Sequence, residues 1–540
     1  MFKKAHKLLA WAVMGTMLMS TPSFAKADTG GSSAKNVILF IADGASVDGL
    51  TLTRWYNDNK NFSFDPYYCG LVRTNSADAA IADSAPAGTA FATGYKSHTG
   101  YIGVLPDERT MPGEAVLKEE DKKRPIANVL EAAKSVNKST GIVATSEIMH
   151  ATPADFSAHY PDRKAYDTLS EQQVYMNMDV VLGSGEFYLG VEGRKDKEDL
   201  VSQIKGLGYD YVTDIAAMNT SKSSKLWGMF APKDLSYEFD RDKSKQPSLA
   251  DMTTKAVEVL SKDKDGFFLM VEGSKVDWAA HSNDPIGVIS DILSFDAAVK
   301  VGMDYANSHK DTVVIVTTDH GNGGLSMGAA STNSGYDKLP LSSYLDPLKK
   351  ATLTGAGVES KLSEDRGNAV EVMKTYYGIS DLTAEELKAI KEAKAGTLNA
   401  VVGPMISKRA NIGWTTTGHT GEDVFLAVYA PDGKRPTGLV DNTEIGKYIA
   451  NTLKVDLDKL TSKLFVEAQT GFAKSGAVVT LDQTDKENLV VIVKKGSTEI
   501  KMPVNKNIAY VNGAMQILSG VVVYNGINMY VPQDAIALVK

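Results

Sequence analysis

Three apolar runs that each end on a metal-type ligand constrain this chain more than any other feature. Val37 to Phe40 leads into Ile41-Ala42-Asp43-Gly44, Phe267 to Val271 into Glu272-Gly273, and Thr312 to Thr318 into Asp319-His320-Gly321. Short apolar runs like these, alternating with helical patterns, read as buried strands of a parallel sheet. Ligands of such sheets bind beyond the carboxyl ends of the strands. The acids and the imidazole are therefore expected to meet in one place, a metal-dependent active site.

Helix and strand alternate from Lys35 to about Val466. Helical periods cover Pro125 to Val136, Asp251 to Ser261, Ile286 to His309 and Asn442 to Leu453. Thr140 to Ser146 and Val424 to Tyr429 read as strands, the second followed by a Pro431-Asp432-Gly433 turn. The expected fold is α/β, a three-layer α/β/α sandwich with a mostly parallel central sheet. Residues 328–413, with helical patterns only near Gly367 to Tyr377 and Ala384 to Ala395, are expected to form a cap-like insertion. From about Phe472 short β runs take over: Val478 to Leu481, Leu489 to Lys494, Glu499 to Val504 and Val521 to Val531. Asn525-Gly526 inside the last run predicts a two-residue hairpin turn, with both positions at positive φ. The chain thus divides into 1–27, a catalytic region 28–466 and a small β-rich module 467–540.

Lys3, Lys4 and Lys7 precede an apolar stretch from Leu8 to Met19, and Ala25-Lys26-Ala27 fits a cleavage site. Residues 1–27 therefore read as a signal peptide, too short in its apolar part for the roughly 20 residues that span a bilayer. No later stretch reaches that length, so no transmembrane segment is expected. Losing the leader removes four lysines and no acid, which moves the formal net charge from −8 to −12. So acidic a chain offers no nucleic-acid binding surface. Cys69 is the sole cysteine, which excludes an intramolecular disulfide and leaves it as a small apolar residue.

Taken singly, each polar motif has a bland reading as a helix cap or a turn. Together they are specific. Asp277 and His281 share one helical face at i, i+4, Asp319-His320 follows a buried strand, and His419 lies in Thr417-Gly418-His419-Thr420-Gly421. Nitrogen and oxygen donors without thiolate suit catalytic zinc, and all-oxygen sets suit magnesium. Asp83-Ser84-Ala85-Pro86-Ala87-Gly88 opens a helix, where amide groups and a nearby metal would activate Ser84 toward a phosphate.

With these residues the chain resembles the alkaline phosphatases, in Ile41-Ala42-Asp43-Gly44, Asp83-Ser84-Ala85, His150-Ala151-Thr152-Pro153, Glu272 to His281, Thr318-Asp319-His320-Gly321 and Thr417 to Gly421. The motifs keep the family's order across most of residues 35–465. The resemblance implies hydrolysis of phosphate monoesters through a phosphoserine at Ser84, with two zinc ions and one magnesium ion. By the same resemblance Asp277, His281 and His419 hold one zinc, and Asp43, Asp319 and His320 the other. Asp43, Thr152 and Glu272 hold the magnesium, and Arg163 grips the phosphate. His150 and Trp278 stand where the best-known bacterial relatives carry aspartate and lysine beside the third metal. His150 is read as a hydrogen-bonding neighbour of that site. Sulfatases and phosphodiesterases share the metal-bearing fold. Gly88 replaces the arginine of the sulfatase motif, and Glu272 with Thr152 favours monoesters.

A secreted binding protein that uses its metals only for structure is the remaining alternative. It rests on the C-terminal module, which resembles copper amine oxidase N-terminal-like domains. No copper is expected there, since no histidine follows His419. The module reads as an appendage whose removal after about residue 470 leaves activity largely intact. Family resemblance implies a homodimer, and the leader with the appended module implies an extracellular or cell-envelope setting.

Overall fold

The computed structural model describes residues 30–113 and 115–539, so the leader predicted over 1–27 lies outside the described residues. A ten-stranded sheet organises the catalytic region. From one edge its strands are Gly438–Asp441, Tyr68–Arg73, Val424–Tyr429, Thr312–Thr317, Asn36–Ala42, Phe267–Gly273, Ser139–Glu147, Val180–Ser184, Leu226–Met229 and Asp210–Val212. All neighbours are parallel except Val424–Tyr429, which runs antiparallel to both of its partners. All seven residues of Asn36–Ala42 are buried, as a central strand covered on both faces requires. Ile38 and Phe40 enter the apolar layer under helix Pro285–His309, while Val37, Leu39 and Ile41 enter the opposite layer.

The helices fill in with local chemistry that sharpens the sequence boundaries. The helix expected from Pro125 starts instead at Val129, because Asn128 caps it: its Oδ1 accepts from the Glu131 amide while Glu131 accepts from the Asn128 amide. Pro285 opens the long helix Pro285–His309 at a position that needs no amide hydrogen. Along that helix Gly302 meets Phe40, and a Cβ there would lie 2.6 Å from the ring.

Residues 328–413 contain more helix than their sequence pattern suggests. Besides Ala369–Tyr376 and Ala384–Glu392, helices form at Ser342–Lys349, Gly355–Glu359 and Leu398–Arg409. Pro404 lies inside the last of these and masks its period. Their apolar residues, among them Leu345, Val402 and Ile406, join the same core as helix Pro285–His309. The insertion is anchored just beyond His281, where Asp284 accepts from the Tyr377 hydroxyl at 2.8 Å and from the Gly355 amide at 2.9 Å.

The C-terminal residues build a five-stranded antiparallel sheet, Val478–Asp482 to Ala514–Ile517 in chain order, with its own apolar core. The two-residue turn expected at Asn525-Gly526 does not form, and a turn of that kind occurs at Asn512-Gly513 instead. Val511 pairs with Ala514 across Asn512-Gly513, with φ of 48° and 88°. Around Asn525-Gly526 the strands pair at Val523 with Tyr530 and at Tyr524 with Met529, which leaves a four-residue loop. There Asn525 Oδ1 accepts from the Ile527 and Asn528 amides, a turn that needs no positive φ at asparagine. Asn525 also donates to the Lys123 carbonyl at 2.8 Å, one of several bonds that tie this region to the catalytic sheet. No helix among the described residues is long and apolar enough to cross a membrane.

Candidate active site

Asp43, Glu272 and Asp319 leave the sheet together at the ends of adjacent parallel strands, as the sequence pattern requires. His419 arrives by a different route. It precedes the antiparallel strand Val424–Tyr429, whose beginning lies beside the carboxyl ends of its parallel neighbour. Asp277 and His281 lie on the short helix Lys275–His281 that follows the Glu272 strand. Gly44, at φ 70°, lets these pieces close up, since a Cβ there would lie 2.6 Å from Asp277 Oδ1.

The imidazoles carry the decisive chemistry. Nδ1 of His320, His281 and His419 faces the carbonyls of Gly321, Thr417 and Ala82 at 3.2, 2.6 and 2.7 Å. A carbonyl only accepts, so each Nδ1 carries the proton and each Nε2 offers a lone pair. The Nε2 atoms of His281 and His419 nevertheless stand 3.1 Å apart. They also face carboxylates: His281 and His419 lie 3.4 and 3.6 Å from the two Asp277 oxygens, and His320 lies 3.2 Å from Asp319 and 3.7 Å from Asp43. Burial, followed by the neighbouring His419, holds the His320 imidazole down at about 3, so its Nε2 meets Asp319 and Asp43 without a proton. A bound cation relieves such crowding of imidazole and carboxylate lone pairs.

The buried acids give the same answer. Both oxygens of Asp43, one each of Glu272 and Asp319, and the Thr152 hydroxyl are buried without a hydrogen bond. Each such orphan costs about 1–3 kcal/mol unless something outside the chain satisfies it. Burial first, then Asp319, Asp277 and Glu272, pushes the Asp43 carboxyl well above its usual range. Burial lifts Glu272 to about 7. Three sets, Asp277 with His320 and His419, Asp43 with Asp319 and His320, and Asp43 with His150 and Glu272, each bring their donor atoms within 4.8 Å of one another. These donors fit divalent cations of the zinc and magnesium type.

Ser84 begins helix Ser84–Thr93, is 2% exposed, and places its Oγ 3.2 Å from His320 Nε2. Arg163 pairs with Asp83, the residue before Ser84, and donates to His150 Nε2 at 3.2 Å. His150 meets Trp278 edge to face at 5.8 Å, and Lys275 lies over the Trp278 ring at 4.0 Å. The structure therefore brings the predicted residues to one site. It also adds three that single-sequence reading passed over. Asp83 aims Arg163, Asn322 donates to Asp277 Oδ1 at 2.6 Å, and Ser146 donates to Glu272 at 3.2 Å. Asp83 stands in the Asp83-Ser84-Ala85 motif without a role of its own, and Asn322 is signalled only by lying two residues after His320.

Residues 34–455 match the family model described as alkaline phosphatase. The chain belongs to the alkaline phosphatase family. Alkaline phosphatase 4 of Bacillus subtilis strain 168 is 36% identical over 470 residues, covering 83% of this chain and 95% of that protein. The repressible alkaline phosphatase of Saccharomyces cerevisiae is 32% identical over 487 residues, covering 79% and 82%. Among solved structures, the Thermus thermophilus alkaline phosphatase superposes with a TM-score of 0.70 at 26% identity, over 81% of this chain and 96% of that one. The chain is an enzyme of this family, and its relatives support phosphomonoester hydrolysis. The family match stops before the C-terminal sheet.

Proposed function

We propose that this enzyme hydrolyses phosphate monoesters through a phosphoserine at Ser84, at a site holding two zinc ions and one magnesium ion. Asp277, His281 and His419 would hold one zinc, Asp43, Asp319 and His320 the other, and Asp43, Thr152 and Glu272 the magnesium. The carrying observation is the cluster of imidazole Nε2 atoms and unpartnered carboxylate oxygens, with the Ser84 hydroxyl 3.2 Å from His320 Nε2. Bound cations would neutralise phosphate charge, make the attacking hydroxyl more acidic and stabilise the leaving oxygen.

The chain's own groups do the rest. Ser84 stands on the first turn of its helix, where amide groups favour an arriving anion. Its Oγ forms a bond to phosphorus as the ester P–O bond breaks, and the alcohol leaves with a proton. Water then cleaves the phosphoserine, returning the hydroxyl and releasing phosphate. Arg163 donates from one terminal nitrogen to Asp83 and from the other to His150, and its remaining N–H groups would serve the phosphate oxygens. His150 reaches Asp43 and Glu272 closely enough to share the magnesium-type site, beyond the neighbour role its position suggested. Export through residues 1–27, a homodimeric assembly and cell-envelope contact through residues 467–540 belong to the same proposal.

Rapid mixing with p-nitrophenyl phosphate should show a burst of alcohol equal to the enzyme present, with a phosphate mass on the peptide containing Ser84. Ser84→Ala should abolish both. An undiminished burst in that variant refutes the role.

A further inference from the structure

Beside Arg163 lies a cavity of about 730 Å³, whose walls include His150, Tyr166, Tyr188, Lys195 and Glu487. A second, of about 380 Å³, shares Tyr160, Asp167, Thr168 and Glu487 with it and continues to Asn505, Lys506 and Tyr524. The two make one groove from the phosphate-binding arginine to the C-terminal sheet. Glu487 lies in the loop between strands Val478–Asp482 and Val490–Lys495. A phosphate group alone fills little of a space this large, which matches sites for drug-sized ligands.

The far wall is held firmly. Asn505 Nδ2 donates to Glu171 at 2.8 Å, and Gln172 Nε2 donates to Asn505 Oδ1 at 3.1 Å. Lys506 Nζ lies 3.2 Å from Glu171 and 2.6 Å from Glu198. Glu171 and Gln172 belong to helix Tyr166–Met176, which starts three residues after Arg163. The C-terminal sheet is therefore part of the same rigid surround as the arginine.

We infer that this groove is a leaving-group subsite, with the C-terminal sheet as its outer wall, selecting phosphate monoesters whose leaving group is aromatic and carries a negative charge. The inference rests on the phosphatase reading. Tyr166 and Tyr188 meet edge to face at 4.9 Å and 83°, so a third ring entering the groove finds an aromatic wall. Lys164 and Lys195 flank that wall and form no ion pair among the described residues. Of the two acids in the same cavity, Asp167 already accepts the Lys195 amide at 3.2 Å. On a chain of net charge −8, these lysines beside Arg163 are a local attraction for anions.

The test compares kcat/KM of the full chain on ethyl phosphate, phenyl phosphate and para-carboxyphenyl phosphate. Differences in intrinsic leaving-group reactivity cancel when each variant is divided by the wild type. Tyr188→Ala should lower both aryl esters relative to the ethyl ester by about two- to tenfold. Lys195→Gln should lower the carboxyphenyl ester relative to the phenyl ester by about two- to fivefold, and Glu487→Lys should raise it by a similar factor. Lys195 and Glu487 are exposed, so neither change threatens folding. Ratios that stay flat, or a common factor across all three esters, overturn the subsite. A wild type that turns over none of the three overturns the phosphatase reading itself.

Discussion

Lys506 is the residue on which the joint between the C-terminal sheet and the catalytic region turns. Its ammonium faces two carboxylates, Glu171 and Glu198, whose side chains are 6% and 13% exposed. One cation cannot balance two buried anions. The lysine is pushed far up, burial being outweighed by the acids around it, while burial and the Glu198 charge lift Glu171 to about 8. The two shifts are compatible, since Glu171 keeps its proton at neutral pH and Glu198 is left as the anion opposite the lysine. Lys506→Met would remove the cation that lies against both acids and should cost roughly 3–5 kcal/mol. Adding Glu171→Gln should then cost less than the sum of the single changes, by about 1–3 kcal/mol. The assay is urea unfolding of the metal-loaded protein, with hydrogen exchange of residues 498–511 as the local report. An acid whose folded value is raised stabilises the fold below its unfolded value of 4.5, and this contribution disappears as pH climbs toward about 8. Wild-type stability should therefore fall across that window more steeply than in Glu171→Gln. The reasoning is refuted if Lys506→Met costs under about 0.5 kcal/mol, the range of ordinary surface changes, or if Glu171→Gln leaves the slope unchanged.

Two further outcomes follow from the core and from the site. Gly302→Ala should destabilise by about 1–3 kcal/mol, because the new methyl meets the Phe40 ring inside a filled core; a neutral thermal melt would show that the helix shifts freely. Chelation should abolish activity and lower the unfolding midpoint, since the orphaned oxygens of Asp43, Glu272 and Asp319 lose their partners. Restoring zinc and magnesium at about a thousandfold over Kd should return about 4 kcal/mol, and an unchanged midpoint would argue against cations there.

The site was legible because strand ends are legible. Apolar runs terminating in Asp43, Glu272 and Asp319 could be placed side by side from a general property of parallel sheets. Asp277 and His281 followed from helical spacing. The C-terminal β runs were equally plain, yet the turn chemistry was assigned to the wrong Asn-Gly pair. Asn512-Gly513 and Asn525-Gly526 are the same dipeptide, and the pairing of the flanking strands decides which takes positive φ twice. Helix Leu398–Arg409 stayed hidden behind Pro404, since tertiary packing of Val402 and Ile406 overrides a local penalty that sequence reading must respect.

Sequence alone determined the strand-end acids, the serine at a helix start and the α/β class, because these depend on side-chain period and local backbone preference. Tertiary structure decided which nitrogen of each histidine faces the cluster, since the fixing carbonyls of Gly321, Thr417 and Ala82 come from three separate segments. It also decided that the C-terminal sheet walls a groove at Arg163, because contacts such as Asn505 with Glu171 span hundreds of residues and leave no periodic trace in the chain.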